Sequence, residues 1–284
     1  MNASVKRYSA TAAIRFFELG IKLLGKRRGA QFSARLAQNL SPIITVETKH
    51  GLIKFHCPSE IAFWRAETLL SKEPETIAWI DNFKKGSVFW DIGANIGVYS
   101  LYAALRPQIQ VLAFEPAAAN YYVLNKNIEI NKMDSRISSF CLAFNNATSL
   151  DHLNCTTTEV GGALSSFASL TDWQGQRFSP VFQQGMIGFT IDGFIESFNP
   201  PFPSYIKIDV DGIEDKIIQG AQKTISDKRL SSLLVELDTN QKDYCQEVIG
   251  FLQRAGMRLY AVKHAPMLEK TKFATVYNHI FVRS

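Results

Sequence analysis

The segment Val88-Phe89-Trp90-Asp91-Ile92-Gly93-Ala94-Asn95-Ile96-Gly97-Val98-Tyr99 constrains this chain more than any other. An apolar strand ends in an acid, passes through a glycine-bearing turn and enters a helix. Gly93 and Gly97 permit backbone conformations and close approaches that a β-carbon obstructs. A ligand can then lie against the main chain at the carboxyl end of the strand, where open α/β sheets bind their ligands.

The spacing separates two kinds of ligand. A dinucleotide fingerprint reads Gly-x-Gly-x-x-Gly and sets a helix N-terminus against a pyrophosphate. Here the pattern is Gly93-x-x-x-Gly97, with Asp91 two positions before the first glycine. An acid beside the turn repels a pyrophosphate and suits a ligand that carries an ammonium and a sulfonium. The next strand ends Phe114-Glu115-Pro116, and a carboxylate there can accept two hydrogen bonds from a ribose diol. Read together, Asp91 and Glu115 favour a sulfonium nucleoside; the plainer alternative is that both acids cap helices.

Around this core, strands alternate with helices. Strands are predicted at 87–91, 111–114, 136–144, 205–210 and 232–237, and helices at 98–105, 118–131, 214–226 and 241–255. A terminal pair, 258–263 and 279–283, closes the sheet. Such alternation predicts an α/β fold with a mostly parallel sheet covered on both faces. Ahead of it, 43–48 and 52–56 read as a hairpin, and 61–83 as a helical stretch interrupted near Pro74. The expected organisation is a basic N-terminal extension (1–40), a hairpin and helical lead-in (41–86) and the main domain (87–284). Residues 145–204 show little periodicity and read as an insertion that shapes the second substrate's pocket.

Residues 1–40 carry eight Lys and Arg against the single acid Glu18, while the rest carries 23 basic and 25 acidic residues. The main domain is therefore not a nucleic-acid binder by charge. Residues 11–28 read as an amphipathic helix with Ile14, Phe17, Ile21 and Leu24 opposite Arg15, Lys22 and Lys26. It either packs on the domain or lies on an anionic membrane surface. No apolar run reaches the length of a membrane span, and no secretory pattern opens the chain. The four cysteines are dispersed, with no Cys-x-x-Cys pair. Reduced thiols, no structural zinc and a cytoplasmic setting, with contact at the inner membrane surface as an extension of it, are the expectation.

Several further segments fall in a fixed order. Glu73-Pro74-Glu75-Thr76 precedes the Asp91–Gly97 turn. Phe114-Glu115-Pro116 and Asn127-x-x-x-Asn131 follow it, then Phe189-Thr190-Ile191-Asp192, Ile206-Lys207-Ile208-Asp209-Val210-Asp211-Gly212-Ile213-Glu214, Gly220-Ala221 and Val235-Glu236. The ordered set resembles the FkbM family of methyltransferases over roughly residues 70–240. The resemblance implies the class I methyltransferase fold, a Rossmann-like seven-stranded sheet ending in an antiparallel strand. It also implies S-adenosylmethionine as methyl donor and a hydroxyl acceptor on a sugar, glycan or natural product, with no nucleic-acid partner. By position, Asp91, Gly93, Asn95 and Gly97 correspond to methionine-side contacts and Glu115 to the ribose anchor. Cys141–Phe144, with Ala143, corresponds to the adenine wall, and Glu73, Tyr99, Pro116 and Asp209 join the cofactor-binding set. Where the family often has Asp-Val-Glu-Gly-Ala-Glu, this chain has Asp209-Val210-Asp211-Gly212-Ile213-Glu214, which retracts the carboxylate at Asp211 by one methylene.

Methyl transfer to a hydroxyl calls for a base near the carboxyl end of the fourth main strand. Asp209 and Asp211 stand two apart on an extended segment there, with Lys207 in the same parity, so all three are expected on one face. They are the candidate catalytic residues; binding the cofactor or capping the next helix is their other reading. His264 and His279 are alternative bases. A hard-cation site of Asp209, Asp211 and Glu214 is the less favoured option, and no metal is expected. Two rivals stand beside the methyltransferase: an NAD-dependent oxidoreductase on a similar sheet, and a non-catalytic partner-binding or membrane-surface protein that keeps the fold. The sequence leaves the acceptor and the oligomeric state open.

Overall fold

A computed structural model describes residues 14–264 and 266–283. The chain divides into two compact units at Pro42 and Ile43. In the first, residues 14–23 are helical and α1 spans Lys26–Leu40. The single helix expected over 11–28 is thus two, and residues 11–13 lie outside the described part. The break is at Gly25, whose φ of 76° no helix tolerates. No described helix is long and apolar enough to cross a membrane.

The second unit opens with the expected hairpin, β1 (Ile43–Thr48) and β2 (Gly51–His56), paired antiparallel. Two helices follow, α2 (Glu60–Glu67) and α3 (Pro74–Asp81). Ser59 caps α2 by accepting from the Ala62 N–H, and Pro74 stands in the first turn of α3, where its missing N–H costs nothing.

Strands and helices then alternate: β3 (Val88–Ile92), α4 (Val98–Leu105), β4 (Gln110–Phe114), α5 (Ala118–Ile130) and β5 (Ile137–Phe140). Beyond the insertion come β10 (Tyr205–Ile208), α7 (Glu214–Gln219), α8 (Gln222–Ser226), β11 (Ser232–Asp238), α9 (Lys242–Arg254), β12 (Met257–Lys263) and β13 (Val276–Arg283). The sheet order is β12-β13-β11-β10-β3-β4-β5, with β13 antiparallel to both neighbours. This is the Rossmann-like sheet, closed by an antiparallel strand, that the resemblance implies. Its two faces feed separate cores, and the alternation of one strand divides between them: Val111 and Ala113 point to the first, Leu112 and Phe114 to the second. With both faces covered, the central strands read as nearly continuous apolar runs.

The strand expected over 136–144 is two. β5 ends at Phe140, and the chain steps across to β6 (Ala143–Phe144) in a second sheet of order β6-β9-β7-β8. The insertion supplies the rest of that sheet: β7 (Ser149–Cys155), β8 (Ser166–Phe167) and β9 (Phe182–Phe189), followed by α6 (Ile191–Phe198). Aperiodic sequence therefore hid a sheet. Trp90 and Phe114 of the main sheet meet Phe144 and Phe194 at centroid separations of 4.8–6.2 Å, which welds the two layers. The helix expected over 214–226 also splits, at Gly220-Ala221. There the Gly220 carbonyl accepts from the Asp192 N–H, while the Asp192 carboxylate accepts from the N–H groups of Lys223 and Thr224.

Candidate functional site

The glycine turn is built from its own hydrogen bonds. The N–H groups of Gly93 and Ala94 donate to the Phe114 carbonyl, that of Asn95 to Glu115 Oε2 at 2.7 Å, and that of Ile96 to Asn95 Oδ1. Gly93 has φ 85°, and a β-carbon there would come within 1.9 Å of the Asp209 carbonyl oxygen. Gly97 has φ 86° and opens α4; its missing side chain makes room for Leu124. These turn donors are spent on the protein, and the buried Glu115 braced by one of them sets an acid where a pyrophosphate would lie, which disfavours the oxidoreductase reading.

Glu115 is buried and accepts at both oxygens, from Asn95 N–H and from Ala117 N–H at 2.8 Å. Burial pushes its carboxyl up to about 7, against the pull of those two amides. Each oxygen keeps a lone pair for a further donor. Beside it an apolar slot is lined by Ala143, Phe144, Pro116, Phe114, Leu153 and Val210. Pro116 and Glu115 also line the main cavity, together with Gly93, Asn95 and Asp209.

A small arm adjoins the cavity at Gly93 and Asn95 and is lined by Tyr99, Lys207 and Asp209 together with Lys72 and Arg65. Lys207 is only 1% exposed. Its Nζ lies 2.5 Å from Asp209 Oδ2 and 5.1 Å from the centroid of the Tyr99 ring. Burial opposes the charge on Lys207, but Asp209, Glu73 and Asp91 outweigh it and hold the ammonium well above its ordinary value. The same balance holds Asp209 well below the carboxylate range: burial raises it, Lys207 and Lys72 outweigh burial. Glu73 is buried, takes Lys72 Nζ at 2.5 Å, and is likewise lowered because Lys72 and Lys207 overcome burial. Tyr99 is pushed up by burial and by Glu73.

Several expected site residues stand elsewhere. Asp91 does not line the cavity: its buried carboxylate takes the Ser100 hydroxyl at 2.6 Å, and its other oxygen has no partner. Burial raises it. The carboxylates on the cavity wall are Glu115, Asp209, Asp211 and Glu236. Gly97 acts through packing, and Asn95 faces the cavity while its amide donates to the Gly162 carbonyl at 2.9 Å. The shared parity of Lys207, Asp209 and Asp211 fails at its last member. β10 ends at Ile208 and Asp211 has φ 63°, so its carboxylate turns to take the Leu164 N–H at 2.6 Å.

Asp209, Asp211 and Glu214 form no cation cluster among the described residues. Glu214 is occupied by the Tyr244 hydroxyl and the Gly212 N–H. The acids that do converge, with oxygens all within 4.8 Å, are Glu73, Asp209 and Glu236, and Lys72 and Lys207 already neutralise two of them. His264 and His279 bond to the carbonyls of Val276 and Tyr277 and do not line the cavity.

The sequence model of the methyltransferase FkbM domain matches residues 91–259, more than half of the chain. The chain belongs to the FkbM methyltransferase family. Its methyl donor is S-adenosylmethionine. Methyltransferase sdnD of Sordaria araneosa is 45% identical over 53 residues, 18% of this chain; the chain spans 20% of that relative's length. Among solved structures, precorrin-6y C5,15-methyltransferase of Geobacter metallireducens is similar at 14% identity and a TM-score of 0.44, over 75% of this chain and 86% of that one. Streptococcus pneumoniae Sp1610 in complex with S-adenosyl-L-methionine is similar at 14% identity and 0.42, over 74% and 72%.

For an FkbM methyltransferase the donor set fits: a carboxylate with spare lone pairs beside an apolar slot, and an arm of mixed charge for an amino-acid end. Sequence reasoning missed Arg65, Lys72 and Glu236. Glu236 carried a signal, an acid inside the apolar strand Ser232–Asp238. Lys72 stands beside Glu73, but nothing in the sequence marks Arg65.

Proposed function

We propose that the chain transfers the methyl group of S-adenosylmethionine to a hydroxyl of a small molecule or glycan. The observation that supports this best is the convergence of Asp209 and Glu236 at the ends of β10 and β11, on the wall of the same cavity as Glu115. Glu236 also lines an adjoining cavity with Trp173, Tyr244, Phe273, Asp238 and Gln241, which offers aromatic and hydrogen-bonding surface to an acceptor. The bound cofactor supplies an electrophilic methyl on a sulfonium; alignment and exclusion of water are the protein's part.

In this reading adenine enters the slot at Ala143 and the ribose diol bonds Glu115. The amino-acid end lies along Gly93 and Asn95 toward Tyr99, with Glu73 supporting. Asp209, kept ionised by Lys207, orients the acceptor hydroxyl. Glu236 is pushed well up by burial, then by Asp209 and Glu73, so it rests protonated beside the ionised Asp209, which is the proton acceptor of the pair. Asp211 is the alternative. Residues 41–284, with 23 basic and 25 acidic residues, do not attract a phosphodiester backbone, which favours a small acceptor over a nucleic acid.

Labelled methyl incorporation into an extract of the source cell, with mass spectrometry of the product, tests the reaction. Asp209→Asn, Asp211→Asn, Glu236→Gln and Lys207→Met should include variants that bind cofactor yet do not turn over. Full turnover in all four contradicts the assignment.

A second reading concerns residues 14–40. Ile14, Phe16, Phe17, Leu19, Leu23 and Leu24 are exposed, Arg15 and Lys22 share a narrow face, and α1 carries Lys26, Arg27, Arg28 and Arg35 with no acid. That pattern complements an anionic lipid surface, and supports peripheral contact of a cytoplasmic protein with the inner membrane face. Flotation with phosphatidylserine vesicles, lost on Arg27→Glu with Arg28→Glu, tests it.

A further inference from the structure

Arg65 lies on α2, ahead of the segment that the family shares. It lines both the main cavity and the arm beside the glycine turn. Its Nε donates to the Gly161 carbonyl at 2.6 Å, which fixes the plane of the guanidinium. The two other cations of the arm are already matched, Lys72 to Glu73 and Lys207 to Asp209. Among the described residues no carboxylate lies within ion-pair distance of Arg65. Glu115 and Asp211 on the same cavity wall feel its charge, which pulls both carboxyls down, but neither pairs with it directly. An oriented guanidinium left with open N–H groups on a cavity wall matches a planar two-oxygen anion.

The polarity of the site says which anion. The apolar slot and Glu115 mark the adenosine end, so the amino-acid end of the cofactor runs the other way, along Gly93–Tyr99 and into the arm that Arg65 borders. We propose that Arg65 takes the α-carboxylate of S-adenosylmethionine, so that the lead-in helix, and not the shared segment alone, completes the cofactor site. The assignment rests on reading Glu115 as the ribose anchor. It also gives the Gly161 carbonyl a function, since the insertion loop then holds the residue that grips the cofactor.

A carboxylate on the acceptor would present the same chemistry to Arg65, and two cofactor forms tell the sources apart. The full chain is titrated calorimetrically with S-adenosylmethionine and with decarboxylated S-adenosylmethionine, which keeps the sulfonium and the ammonium. Arg65→Met should weaken the first by about tenfold or more and leave the second within about twofold, as expected for a lost hydrogen bond between charged groups. Arg65→Lys, which keeps charge but loses the fork, should fall between. Equal loss for both forms, or no loss for either, overturns the proposal and assigns Arg65 to packing or to the acceptor. If Arg65→Met does not fold, Arg65→Lys decides alone: a loss confined to the carboxylated form supports the proposal, an equal loss overturns it. Wild-type chain that binds neither form removes the cofactor-site reading itself, a result distinct from any of these.

Discussion

The backbone N–H of Asn95 donates to Glu115 Oε2 over 2.7 Å, so the glycine turn after β3 and the carboxylate after β4 are one mechanical unit. Asn95 has φ 51°, a conformation that aims its N–H across the sheet edge. Its side chain meanwhile holds the insertion loop at Gly162. One residue thus joins the turn, the ribose-side acid and the loop that walls the cavity.

Gly93→Ala should disable the site by displacing the Asp209 backbone against it. A β-carbon there meets the Asp209 carbonyl, and φ 85° costs a side-chain residue about 1–2 kcal/mol before that clash. Affinity for S-adenosylhomocysteine should drop by at least about tenfold for each 1.4 kcal/mol transmitted to the bound state. Unchanged affinity with an intact fold would show that the turn has room to spare.

Lys207→Met should destabilise the chain by about 3–5 kcal/mol in urea unfolding at neutral pH, because it strands buried carboxylates without their ammonium. The penalty has a definite pH dependence. Asp209 is lowered in the folded state, so its stabilising contribution is present above its ordinary value and is lost on acidification through the folded one. The gap between wild type and variant should therefore narrow as the medium turns acidic. A gap that widens on acidification contradicts the account.

Glu214 supplies the opposite slope. Burial pushes it up to about 7 from an ordinary 4.5, with the Tyr244 hydroxyl pulling the other way. The folded chain keeps a proton that the unfolded chain releases, so stability falls as pH rises between those values and then levels. Glu214→Gln should flatten the fall in Tm over that window. Identical slopes for wild type and variant would remove Glu214 from the explanation.

Asp192 tests a motif that serves the fold and not the site. Its carboxylate takes the Lys223 and Thr224 N–H groups at 2.8 and 2.9 Å and the Thr224 hydroxyl at 2.6 Å. Asp192→Ala should cost about 1–3 kcal/mol in urea unfolding and leave affinity for S-adenosylhomocysteine unchanged. A selective loss of affinity without destabilisation would move Asp192 into the site.

The sequence made the main sheet legible because its strands are buried on both faces and stand out as apolar runs between helices. The second sheet was hidden for the opposite reason. β7 sets exposed Leu150, Asp151 and His152 before buried Leu153 and Cys155, and β9 carries two glutamines and two glycines, so neither alternates cleanly. In the site, Glu115 and Gly93 follow from local pattern. Asp91 shows the limit of that reasoning: its place at a strand end is local, but the partner that turns it away, Ser100, is set by the helix it packs on. Asp211 fails similarly, since one residue at φ 63° cancels a parity argument. Arg65 reaches the cavity through tertiary packing alone.

The central claim is that Glu115 and the turn it braces hold the nucleoside of S-adenosylmethionine. Calorimetric titration of the wild-type chain and of Glu115→Gln with S-adenosylhomocysteine and with NAD tests it most directly. The expected result is one site per chain for S-adenosylhomocysteine, none for NAD, and a loss of about tenfold or more in the variant from weakened charged hydrogen bonds. Equal affinity in wild type and Glu115→Gln, or uptake of NAD in place of S-adenosylhomocysteine, would contradict it.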